Sequence, residues 1–516
     1  MTHFYGYHQG GKFKSIGACI GIFLLILSVS ACWEDNDTPT GWIRSFDDLI
    51  TVLSKKYAFT DHKSIDWYAL KYEFRDRIAA AYRQSDVRAY YLALREFAYS
   101  IPDGHIQLSA ATGEAQVVVE ELKLEQVGGG YGFGIIGLDD GRVMVHFVTD
   151  AGQAREAGIE SKAEILKWDG ESIQDALEKT SVLWAGNVPA TDEGKRLAQY
   201  RLLVRDPVGT QRQVTYKNLN EAVESSALLT AVDDDYETLT RTDLSPDSDE
   251  LQEFVQHEIL DNGYGYLKVT VIWSRDITGN EKDADDYARL QTYRDFQSAV
   301  QTFVDHDVPG VIMDLRHNLG GEDILAALLS GFFYYESQHY ESVTFYDEVT
   351  DQFELAETLN VNPQVPYYSG PVRIMVSPGN ISSGEGVAMA VQKMPQARVV
   401  SFFGSQGSFG IIIDDSTVEL ENGFRFNYPV GRSLDEKGEI QLDSDADGYG
   451  GVMPDERVPL TIDTMNSVLL NRNSSADPEL EYAIENLQSR LVPVRGTSSL
   501  LPTSPQGNPI NDPAIS

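Results

Sequence analysis

The sequence predicts a multidomain α+β protein: a helical N-terminal region, a glycine-punctuated β region, then an α/β core. Three observations carry this prediction. Trp67, Leu70, Phe74, Ile78 and Tyr82 recur at three- and four-residue spacing and so share one helical face. Short apolar runs broken by glycines fill the middle of the chain. From residue 263 onward, strand-like and helix-like segments alternate, the pattern of an α/β sheet. With 516 residues and 42% apolar side chains, the chain is long enough for about three cores.

Residues 1–32 read as a targeting segment. Lys12 and Lys14 precede an apolar run from Ile16 to Ala31, which is short for a bilayer span. The run ends Val29-Ser30-Ala31-Cys32, which resembles a bacterial lipoprotein lipobox. That resemblance implies cleavage before Cys32 and lipidation of Cys32, leaving a lipid-anchored protein of the bacterial cell envelope that faces the periplasm. Trp33, rather than aspartate, after the cysteine favours the outer membrane by the same analogy. An uncleaved signal anchor is the alternative. Cys19, the second of the two cysteines, would leave with the signal peptide, so neither a cysteine nucleophile nor a thiolate metal site is expected. The net charge of −38 repels phosphate backbones and argues against nucleic acid as a partner.

Residues 42–112 are expected to be helical, with Ser85 as the N-cap of a second helix after the Trp67–Tyr82 stripe. Residues 117–222 read as short strands. Val127 to Ile135 is glycine-rich and leads to the strand-like Val143–Val148, a short helix ending at Gly158, and a strand turning at Asp169-Gly170. This order resembles a PDZ domain. The resemblance implies that the loop N–H groups of Tyr131, Gly132, Phe133 and Gly134 hold a peptide's terminal carboxylate while the next strand pairs with the peptide. An unrelated glycine-rich hairpin is the alternative. The acidic stretch Asp233–Glu250 reads as a linker. A core over 255–490 follows, and the tail 491–516, rich in Pro, Ser and Gly, reads as disordered.

Two segments in the core could carry chemistry. Asp314-Leu315-Arg316-His317-Asn318-Leu319-Gly320-Gly321 ends a strand in paired glycines, which permit a bend that presents N–H groups. Asn380-Ile381-Ser382-Ser383-Gly384-Glu385 follows the apolar run Val372–Val376 and opens a helix. A serine there either caps the helix, with Glu385 completing a capping box, or acts as a nucleophile beside free helix N–H groups.

Together with Gly451-Val452-Met453-Pro454-Asp455, these segments resemble the carboxy-terminal processing (tail-specific) peptidases and their tricorn-core relatives. The resemblance covers roughly residues 43–490. It implies an α/β core of the crotonase/ClpP type and a serine endopeptidase that needs no cofactor or metal, acting on proteins or peptides with free C-termini. Ser382 would be the nucleophile, with Ser383 as a competitor one position off the motif. The Ser383 N–H and one glycine of Gly320-Gly321 would form the oxyanion hole.

The general base departs from the best-known members, which carry a lysine about two dozen residues after the serine. The matching stretch here, Ser401 to Ser408, has none, and Lys393 lies on the helix that the serine opens. Ile101-Pro102-Asp103-Gly104-His105-Ile106 resembles the D-G-H turn of the tricorn-like branch, which makes His105 the expected base. His317 is the second candidate. That branch also has a carboxylate shortly before G-V-x-P-D. Gly448 stands at this position, so Asp443 or Asp447 is the candidate acid. Asp443, Asp445 and Asp447 also resemble half of an EF-hand loop, but Pro454 occupies the twelfth position where glutamate is needed. A catalytically inactive ligand- or peptide-binding lipoprotein on the same fold is the alternative to the enzyme.

Overall fold

The computed structural model describes residues 41–150, 152–465 and 476–491. The apolar run, Cys19, Cys32 and most of the C-terminal tail lie outside the described residues. Among the described residues, no helix is long and apolar enough to cross a membrane.

The core is a six-stranded sheet ordered Val255–Ile259, Gly265–Val269, Val311–Asp314, Val372–Met375, Ala397–Ser401, Glu456–Arg457. Only the first pair is antiparallel. A mostly parallel sheet buries both faces, so its strands read as continuous apolar runs. Val311 and Met313 face Phe296, Leu325, Leu329 and Val387 from helices on one side. Ile312 faces the opposite side, with Leu487 of the Pro478–Leu491 helix and with Leu138 and Leu197 from the middle of the chain.

Three helices, Gly41–Lys56, Trp67–Gln84 and Val87–Tyr99, form the N-terminal part. Ser85 does not open the third helix. It closes the second in a left-handed conformation (φ 53°), and Asp86 is the cap, its carboxylate accepting from Ala89 N–H at 3.0 Å. The helices do not end as a separate unit. Gln107–Ala110 pairs antiparallel with Phe424–Asn427, and Phe97 shares a core with Phe424, Phe426 and Tyr428.

Strands begin later than the glycine pattern suggests, because Gly113–Val127 is a helix capped by Thr112. The strands Phe133–Gly137, Val143–Val148, Glu164–Trp168, Gln211–Lys217 and Ser225–Thr230 form one antiparallel sheet in that order. The helix Asp192–Leu203 packs on its first strand. The supposed linker is also structured: Asp234 pairs with the buried Arg205 at 2.6 Å, and Glu237–Arg241 is helical. A long hairpin, Gln338–Asp347 with Gln352–Val361, had no signature that the sequence reading recognised.

The strand end that leads to the paired glycines is held by Arg316. Its guanidinium donates to Asp314 (2.7 Å), Asp477 (2.7 Å) and Glu479 (3.0 Å), while its carbonyl accepts from Ser377 Oγ. Burial alone would push the Asp314 carboxyl up, but Arg316 holds it below the usual range. Arg316→Met strands three carboxylates and is expected to cost about 3–5 kcal/mol in urea unfolding, with Arg316→Lys intermediate.

Candidate active site

The strand Val372–Met375 runs into a sharp turn at Ser382, and the helix Ser383–Gln392 starts immediately after it. Ser382 has φ 59° and ψ −135°, a conformation costly for any residue with a Cβ and typical of functional turns. Ser382 and Glu385 form a capping box around the first turn of that helix. Ser382 is 9% exposed.

Glu385 is the hub of this capping box. Its buried carboxylate accepts from Ser405 Oγ (2.5 Å), Gly407 N–H (2.8 Å), Ser408 N–H (2.9 Å) and Ser382 N–H (3.2 Å). Burial pushes this carboxyl up to about 7 against the opposing pull of those donors. Ser408 then connects two distant segments. Its carbonyl accepts from Ser382 N–H at 3.0 Å and its Oγ accepts from Gly104 N–H at 2.8 Å. One residue therefore stands between the serine turn and the Asp103-Gly104-His105 turn.

The paired glycines lie against the serine. A Cβ built on Gly320 would sit 2.6 Å from Ser382 Cβ, and one on Gly321 would sit 1.9 Å from the Ile272 carbonyl oxygen, so neither position admits a side chain. Gly320 N–H is already donated to Asn318 Oδ1 at 2.8 Å. Among the described residues, the N–H groups of Gly321 and Ser383 make no hydrogen bond, which leaves these two as donors. The Ser383 hydroxyl is fully buried and lies 2.8 Å from Gly321 O and 2.7 Å from Asp323 Oδ1, so it is engaged structurally and does not compete as nucleophile.

His105 is 7% exposed, and neither ring nitrogen has a hydrogen-bond partner. It is therefore not hydrogen-bonded to Ser382 Oγ in this structure. Burial holds its pKa below 6.5, with Asp103 pulling it up and Lys63 pushing it further down. Asp103 accepts from His105 N–H at 2.9 Å and from Tyr57 Oη at 2.8 Å. Lys63, also buried, donates to Ser444 O at 2.6 Å and Ser444 Oγ at 2.7 Å.

The acid candidates separate. Asp443 is buried, with Oδ2 accepting from Phe409 N–H at 3.3 Å and Oδ1 without a partner. Burial raises its carboxyl well above the ordinary value; Lys63 opposes this, while Asp103 and Glu385 reinforce it. Asp447 is exposed in a turn where Asp445 Oδ1 accepts its N–H at 2.9 Å. Neither aspartate touches the His105 ring, whose nearest acidic influence is Asp103. His317 pairs through Nδ1 with Glu250 at 3.2 Å, and Lys393 is exposed at the far end of the helix. Tyr131, Gly132, Phe133 and Gly134 are all buried, with Tyr131 Oη donating to Asp206 at 2.7 Å, so the expected carboxylate loop is closed. Asp103 stood in the motif without a role, and the Asp-x-His spacing was its signal. Tyr57, Lys63 and Asp323 carried none.

The sequence model of peptidase family S41 matches residues 263–458, the span holding Ser382, Glu385 and the paired glycines. This core belongs to peptidase family S41. The chain is a serine-type peptidase. No curated protein gives a significant sequence match. Among solved structures, mature CPAF aligns over 86% of this chain and 96% of its own, with 13% identity and a TM-score of 0.57. Its complex with lactacystin gives 87%, 97%, 13% and 0.56. These likenesses extend the shared fold well beyond the matched core. The photosystem II D1 C-terminal processing protease aligns over 86% of this chain and 100% of its own at 16% identity, with a TM-score of 0.38.

Glu385→Gln exchanges an acceptor oxygen for an amide that faces N–H donors. The peptidase is expected to lose about 1–3 kcal/mol in urea unfolding, because a buried donor is left unpaired.

Proposed function

We propose that the peptidase is an endopeptidase acting through an acyl-enzyme on Ser382, with His105 as general base. The carrying observation is the strained Ser382 turn, whose backbone Glu385 holds and which lies against the paired glycines. Ser382 Oγ attacks the scissile carbonyl as His105 takes its proton, and the imidazolium then protonates the leaving amine. The N–H groups of Gly321 and Ser383 receive the developing oxyanion. A buried imidazole with two unpartnered nitrogens is an unfavourable resting arrangement, and substrate binding is the event that pairs them.

Tail-specific cleavage is the finer part of the proposal. The strand Phe133–Gly137 lies at one end of its sheet and offers an edge for a peptide strand. Capture requires the helix Asp192–Leu203 to move aside, since Tyr200 Oη lies 2.1 Å from where a Cβ on Gly137 would be. Glu193 of that helix accepts from Gly404 N–H at 2.9 Å, so its movement would reach the loop that carries Ser408. The lipobox-like Val29-Ser30-Ala31-Cys32 supports a lipid-anchored, periplasm-facing location in the cell envelope, with protein or peptide C-termini as substrates.

A fluorophosphonate probe is expected to label the wild type at Ser382, with Ser382→Ala and His105→Ala unlabelled and peptide hydrolysis reduced at least about 1,000-fold. A wild type that is folded, hydrolyses no peptide and takes no label rejects the enzyme mechanism. The base must be neutral, so kcat/KM should fall as pH drops through the His105 pKa, below about 6.5. Removing the Asp103 charge (Asp103→Asn) should move that limb lower, and removing the Lys63 charge (Lys63→Met) should move it higher.

A further inference from the structure

Asp323 opens the helix Asp323–Ser330, two residues after Gly321, and no step above uses it. Its Oδ1 lies 2.7 Å from Ser383 Oγ, and the same Oγ lies 2.8 Å from the Gly321 carbonyl oxygen. A serine hydroxyl has one proton, so it cannot donate to both. The carbonyl has no proton to give, whereas a carboxyl has one when neutral. The arrangement closes when Asp323 O–H donates to Ser383 Oγ and Ser383 O–H donates to Gly321 O.

The surroundings favour that neutral acid. Glu322 adjoins Asp323 in the chain, Tyr340 and Glu341 face it from the strand Gln338–Asp347, and Glu357 faces it from Gln352–Val361. Glu341 is fully buried, with Ser433 beside its carboxylate. Burial first, and these carboxylates second, push Asp323 up to about 7 against the pull of the Ser383 bond. Glu385 is the contrast: it receives only donors, the arrangement an ionised carboxylate accepts.

We infer that Asp323 is a positioning residue that works as a protonated acid, clamping through Ser383 the two residues whose N–H groups form the oxyanion hole. The inference rests on the Ser382 reading. Loss of the Asp323 proton turns the Ser383 hydroxyl toward the carboxylate and leaves the Gly321 carbonyl without its donor. The bonds of Gly320 and Glu322 bridge the Gly321 backbone to Ile272, and the clamp adds a hold on the Gly321 carbonyl.

The test measures kcat, KM and fluorophosphonate labelling against pH for the wild type, Asp323→Leu, Asp323→Asn and Ser383→Ala. Direct loss of one oxyanion donor costs about 100–1,000-fold, so loosening the clamp is expected to lower kcat about 10–100-fold with KM within about threefold. Asp323→Leu and Ser383→Ala should each do this, and the double variant should be no worse than either. Asparagine can donate to Ser383 Oγ at every pH, so Asp323→Asn should restore most of kcat and abolish the alkaline fall that the wild type shows. An Asp323→Leu enzyme with wild-type kcat, or an Asp323→Asn enzyme that keeps the alkaline limb, overturns the inference. The proton is also read without turnover, as a protonated-carboxyl infrared band lost between Ser382→Ala and Ser382→Ala/Asp323→Asn. No such difference overturns the clamp even if the enzyme is active. A wild type that never labels overturns the Ser382 reading and the catalytic role of the clamp, while the band separately decides whether the protonated contact exists.

Discussion

The site depends on one buried carboxylate. Glu385 gathers donors from Ser382, Ser405, Gly407 and Ser408, fixing the serine turn and the following loop to a common point. A carboxylate that accepts several N–H and O–H bonds replaces its lost hydration, which is what makes its burial tolerable. The capping box secures the first turn of the helix, and the strained φ of Ser382 is held by the bonds around it.

From that point the construction extends to the N-terminal helices. Ser408 binds Ser382 through its carbonyl and Gly104 through its hydroxyl, and Gln107–Ala110 immediately joins a strand formed by Phe424–Asn427. The Lys63 bonds to Ser444 and the Arg432 bond to the Ala58 carbonyl tie the same distant segments together. The aromatic core shared by Phe97, Phe424 and Phe426 gives the strand pairing its stability. It also explains why the His105 ring is buried, since both sides of the turn are covered.

Much of this was legible in the sequence, and the losses have physical causes. The helix was legible from the Trp67–Tyr82 spacing, although Tyr82 itself is exposed, and the Val372 and Val311 strands from their apolar runs. Ser85 failed as an N-cap because the adjacent Asp86 caps better in extended backbone, leaving Ser85 to end the previous helix. Ser382 and the paired glycines were visible because their spacing is local. Asp323 was not, because its partner Ser383 is 60 residues away and nothing in either segment announces the contact. The Tyr131–Gly134 loop was read from its glycines, but composition does not say whether a loop is open, and here it is closed.

The proposed histidine base suits the same burial. A lysine beside Ser382 would need its pKa lowered by several units to act as a base near neutrality, which demands an apolar, cation-rich pocket. This pocket instead places Asp103 against the His105 turn, and its charge would hold a lysine protonated. The buried lysine that is present, Lys63, has its ammonium committed to Ser444 and serves to offset that negative charge. A histidine starts near the required pKa, and burial outweighs Asp103 enough to keep it neutral. The acidic pocket that disqualifies a lysine is therefore compatible with His105, because the imidazole needs only a small push and desolvation supplies it.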